Sequence, residues 1–102
     1  MIDRISKNEK YLDSALLSID KLEVALALFK SNFDNIDLVN KYYGSKEWFR
    51  DKDAFESKKI SDVKAGVLGE DTVWNMNESI CDLISEMKEI ISFFDEKIYN
   101  AT

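Results

Sequence analysis

The chain has 102 residues, 45% of them apolar and 33% charged, with 20 Asp and Glu against 14 Lys and Arg, three Gly, one Cys, and neither His nor Pro. That length suits a single domain, and the absence of His removes Ser–His and Cys–His nucleophile pairs outright. With Cys81 as the only Cys, a four-ligand structural zinc site within one chain is also excluded.

A lone Cys makes no internal disulfide, no stretch approaches the length of a membrane span, and Met1-Ile2-Asp3-Arg4-Ile5 has no basic region followed by an apolar run. A cytoplasmic protein is the expectation.

The first segment repeats every seven residues. Ile5, Leu12, Ile19, Leu26 and Phe33 fall on one line, and Ala15, Leu22, Phe29 and Ile36 lie three residues after the last four of these, with Asn8 breaking the pattern. No Gly precedes Gly44, so the spacing predicts a helix over about 3–43, ~60 Å long at the helical rise per residue. Asn32, Asp34, Asn35 and Asp37 are weak helix formers and mark the place for a break. Gly44 is the expected stop.

Residues 45–69 contain Ser45 as a candidate cap, the apolar group Trp48, Phe49 and Phe55, and the polar run Glu56-Ser57-Lys58-Lys59. Ser61 or Asp62 is a candidate cap for one more turn ending at Gly66. From about Glu70 to about Tyr99, Val73, Ile80, Met87 and Phe94 form a line flanked by Met76, Leu83 and Ile90 and by Ile84, Ile91 and Ile98. A stripe this wide belongs to a helix packed on a neighbour. Gly69 is its expected N-cap, and Glu70 and Asp71 complement the first turn. No segment alternates in the manner of a strand, so the predicted fold is a single all-α domain over 1–102. Its two long helices form an antiparallel hairpin with a short helical connector, and two copies of it can form a four-helix bundle.

Charge is uneven along the chain: residues 1–44 sum to −1, residues 45–69 to +1 and residues 70–102 to −6. With no basic surplus to displace counterions, nucleic acid is not an expected ligand, and no membrane contact or cofactor is expected either. The blander account of the acidic last helix is a solvated face that aids solubility.

Leu17, Val24 and Leu28 lie on the side of the first helix away from the heptad line, roughly 140° to 200° around from it. Either the connector with Trp48, Phe49 and Phe55 covers them, or they form an exposed strip for another protein or a second copy. Tyr42-Tyr43-Gly44-Ser45 followed by Trp48-Phe49 is the densest aromatic cluster, and such a group pins a corner or forms a recognition site. Its expected neighbour is the Gly66-Val67-Leu68-Gly69-Glu70-Asp71 turn with Trp74. The candidate partner-binding residues are therefore Leu17, Val24, Leu28, Tyr42, Tyr43, Trp48 and Trp74; no catalytic or metal-binding set is assigned.

Tyr42-Tyr43-Gly44-Ser45, Trp48, Asp51, Lys64, Gly66-Val67-Leu68 and Glu70-Asp71 together resemble the bacterial domain of unknown function 4298 family, and the likeness runs end to end. The chain departs from the family pattern at Gly69, where a Ser cap is expected, and near Ile60, where a Pro is expected. The resemblance implies a small helical protein and supplies no activity.

Other residues have plainer readings. Asp51, Asp53 and Glu56 lack the glycine and later glutamate of a calcium loop and read as a surface salt-bridged with Lys52, Lys58 and Lys59. Glu78, Asp82, Glu86 and Glu89 are expected to face water, and Cys81, beside Trp74, to be a buried inert thiol. The functional expectation is a small acidic protein-interaction module of the immunity or inhibitor type. The alternative is a nucleic-acid mimic that blocks a DNA-binding protein, and an enzyme is the weakest reading because the usual proton shuttle and metal sites are missing.

Overall fold

The computed structural model describes residues 1–99. Among these there is no strand: the chain is all-α, as its periodicity predicts. Helix α1 spans Ile2–Ser31, α2 Phe33–Tyr42, α3 Lys46–Glu56 and α4 Glu70–Phe94. A 3-10 turn at Gly66–Leu68 precedes α4, and a π turn at Asp95–Tyr99 follows it. The chain divides into two units, Met1–Leu38 and the remainder from Val39 onward, with the boundary inside α2.

The single long helix expected over 3–43 is interrupted at the polar run. Ser31 Oγ and Asn32 Nδ2 both donate to the Leu28 carbonyl, at 2.6 and 3.0 Å, and Asn35 Nδ2 donates to Asn32 Oδ1 at 3.1 Å. These short side chains offer the backbone partners that compete with the helical ladder, and Asn32 leaves helical geometry at φ −102°, ψ 3°. The interruption is one residue long. Phe29 and Phe33 meet edge to face across it, with ring centroids 5.6 Å apart.

The first unit contributes no buried residue from α1. Leu17, Val24 and Leu28 are 56%, 66% and 66% exposed. Trp48 is turned inward within its own unit.

In the second unit the chain leaves α2 through Gly44, whose φ of +78° is the left-handed conformation that glycine adopts without steric cost. Ser45 then caps α3, its side chain accepting from the Trp48 amide at 3.2 Å. The far end of α3 closes with a Schellman pair, Lys59 N–H to the Ala54 carbonyl at 2.9 Å and Lys58 N–H to Phe55 at 3.1 Å. The residue forced into the left-handed region is Lys58, at φ +58°.

The turn expected to end at Gly66 instead begins there, and Asp62, proposed as a cap, sits at φ +62° in the loop before it. Gly69 is the N-cap of α4 as expected and makes no side-chain cap bond. A Cβ at Gly69 would lie 2.9 Å from Thr72 Oγ1 and 3.3 Å from the Gly66 carbonyl, so a Ser cap there would require Thr72 to turn and the 3-10 turn to shift slightly.

Among the described residues the buried ones are Trp48, Leu68 and Val73, all in the second unit. They come from α3, the 3-10 turn and the first turn of α4. Farther along α4 the apolar stripe opens to solvent, with Leu83, Ile84, Ile90, Ile91 and Phe94 all exposed, as is Ile98 in the π turn that follows.

Candidate functional site

The aromatic corner assembles around Trp48, in the first turn of α3. Its indole Nε1 donates to the Val67 carbonyl at 3.0 Å, which satisfies the one polar atom of an otherwise apolar side chain. Tyr43 and Phe49 meet its ring edge to face, with centroids 5.1 and 4.9 Å away. Lys52 Nζ stands 5.0 Å from the ring centroid, a cation–π contact. Capping Ser45 sets the direction of α3 and so delivers Trp48 inward.

Five side-chain pairs tie this corner together and to its surroundings. Tyr43 Oη donates to the Glu70 carbonyl at 2.9 Å, holding the end of α2 to the start of α4. Lys52 Nζ donates to Glu70 Oε1 at 2.8 Å and lies 4.0 Å from Glu56. Asn40 and Asn77 exchange side-chain amide bonds of 3.1 and 2.8 Å. Tyr42 Oη donates to Asp51 Oδ2 at 2.5 Å.

The electrostatics follow these bonds. Accepting the phenol proton, Asp51 favours the neutral form of Tyr42, whose pKa is pushed up to about 12. Lys52 is raised, and Glu70 lowered, by the hydrogen bond between them. None of these shifts brings a group toward neutrality, where an acid–base catalyst works best. The tyrosine oxygens, indole nitrogen and ammonium are all occupied by bonds that join helix ends. The arrangement is a brace.

Two hollows flank it. Lys52, Phe55, Glu56, Ala65, Leu68 and Glu70 line a cleft of about 380 Å³ between α3 and the turn. Val39, Lys64, Val67, Thr72, Val73 and Met76 line an apolar groove of about 350 Å³. No group of three or more Cys, Asp or Glu side chains is arranged to hold a metal ion among the described residues, and no helix there is long and apolar enough to cross a membrane.

Of the residues singled out from sequence, Tyr42, Tyr43 and Trp48 are brought together here. Trp74 leaves the cluster and is 60% exposed, while Leu17, Val24 and Leu28 lie on α1 in the other unit. Cys81 is exposed, contrary to the buried thiol expected. Trp74 and Cys81 project about 100° around α4 from Val73 and Ile80, off the side that packs.

Asp51, expected in a lysine-paired surface, instead accepts from Tyr42. The Asn40–Asn77 pair carried no sequence signal, since the two residues lie 37 positions apart, whereas the bonds from Trp48 to Val67 and from Tyr43 to Glu70 fall on the turn expected beside the aromatic cluster.

Residues 5–90 match the profile of a family described as a domain of unknown function (DUF4298). The chain belongs to that family. The match spans the brace from Tyr42 to Asn77, together with nearly all of α1. No curated protein and no solved structure matches the chain.

Proposed function

We propose that this member of the family is a protein-binding module that works by association rather than by catalysis. The observation that carries this reading is the strip of Leu17, Val24 and Leu28 on α1, at least half exposed at each residue and a full side away from the heptad line. The brace adds support of a negative kind, because its polar groups are spent on structure.

The −6 balance of residues 70–102 favours a basic partner and faster encounter with it, as an inhibitor or immunity-type protein would require. A nucleic-acid mimic stands second. Glu78, Asp82 and Glu86 are exposed at successive i, i+4 positions of α4, giving carboxylates about every 6 Å along one side.

The test is affinity capture from the native host with wild-type and Val24→Lys bait, followed by mass spectrometry. One stoichiometric basic protein should bind the wild type and be lost from the variant, with helical content unchanged. Recovery of bait alone at physiological salt would sink the reading, and loss of helix in the variant would make the strip core. Capture of a DNA-binding protein whose affinity falls steeply with salt would favour the mimic.

A further inference from the structure

Helix α1 carries a second apolar surface, distinct from the strip above. Leu12, Ile19, Leu22 and Leu26 are all exposed, and with Ala15 and Phe29 they repeat in the 3.5-residue period of a coiled-coil seam. We propose that this seam is filled by α1 of a second copy, running antiparallel.

The register follows from the side chains. With Ile19 opposite Leu22, Ala15 falls opposite Leu26 and Leu12 opposite Phe29, so every layer between Leu12 and Phe29 is apolar and the small Ala15 meets a large partner. Glu9 and Lys30 occupy the flanking positions just beyond the two ends of the seam. In this register Glu9 of each copy faces Lys30 of the other. Sliding one copy by a heptad in one direction sets Glu23 against Glu23, and in the other Glu9 against Glu23.

A parallel pair would instead bury Asn8 against Asn8. The Asn8 amide is already donated to its own Arg4 carbonyl at 2.8 Å. Charge complementarity thus selects both direction and register.

The area is adequate for a reversible dimer. Leu12, Ile19, Leu22, Leu26 and Phe29 of two copies, at about 60–120 Å² for each large apolar side chain, come to on the order of 1,000 Å². That is the lower edge of a specific interface, so dissociation is expected in the micromolar range. The proposal concerns a different face of α1 from the partner-binding strip and does not require that strip to be used.

Sedimentation equilibrium of the full chain through the micromolar range tests it, with four variants. Wild type should be a monomer–dimer system, and Ile19→Asp should be monomeric. Glu9→Lys should weaken the dimer by about tenfold, from two lost ion pairs and two new repulsions. Adding Lys30→Glu to Glu9→Lys should restore it, because the swapped charges face each other only in the antiparallel register. Val24→Lys should dimerise as wild type does, which separates this proposal from the partner-binding reading. A wild-type monomer at every concentration, a dimer broken by Val24→Lys, or a double charge variant that stays weak would each overturn it.

Discussion

The two units of this chain are helical for different reasons. In Met1–Leu38 the helix is supported by local terms: a proline-free sequence, an Ala- and Leu-rich centre, and no buried residue along α1. In the unit beginning at Val39, short elements are tied by contacts between residues distant in sequence, Trp48 to Val67, Tyr43 to Glu70 and Asn40 to Asn77. The first unit can lose one side chain with little change in helicity and is exposed to solvent until something covers it. The second depends on a single buried indole.

The largest effect should come from Trp48→Ala, which removes that indole and leaves the Val67 carbonyl without its donor. A cost of about 3–5 kcal/mol is expected for a large buried aromatic. Urea unfolding followed by circular dichroism should show the second unit melting early while the signal of α1 persists. Collapse of all helical signal in one transition would mean that the two regions do not differ in the way described.

A smaller effect, of opposite sign, is expected at Lys58. Its left-handed backbone at φ +58° costs an L-residue about 1–2 kcal/mol that glycine avoids, with some of the gain lost to the greater freedom of glycine in the unfolded chain. Lys58→Gly should therefore raise the urea midpoint of the second unit by an amount equivalent to about 1 kcal/mol, without touching α1. An unchanged or lowered midpoint would show that the Schellman closure of α3 does not limit stability there.

The smallest effect concerns Tyr42. Its pKa is higher folded than unfolded, so the neutral phenol is favoured in the folded state; the contribution is fully present below pH 10 and is lost as pH rises from 10 toward about 12. Tyrosinate absorbance of the native protein should show one late-titrating phenol that Asp51→Asn returns toward the ordinary range. A titration unaltered by that substitution would remove the Tyr42–Asp51 bond from the brace.

Much of this was legible in the residues. Gly44, Ser45 and Gly69 act at helix ends as their chemistry demands, and Asn32 breaks the first helix because short amides compete locally with the helical ladder. The aromatic corner could be located from density of Tyr and Trp alone. Its wiring could not: Asp51 had several lysines as plausible partners in sequence, and Asn77 is one polar residue among many on α4.

The expectation for Cys81 failed because Val73, in the first turn, is the one buried residue of α4, which leaves the edges of a stripe that reads as wide open to solvent. The same reason separated Trp74 from the cluster near which it was placed.

By itself, then, the sequence determined that the chain is helical, that α2 stops at Gly44, that Ser45 caps α3 and Gly69 opens α4, and that chemistry needing a histidine is outside its reach. These properties depend on residues a few positions apart, where backbone propensity and capping act. Tertiary structure alone decided that Trp48 is the residue turned inward, that the polar groups of the corner are used up in bracing, and that both apolar sides of α1 face solvent. Those outcomes rest on which distant surfaces exclude water from one another, a property that no short stretch of chain encodes.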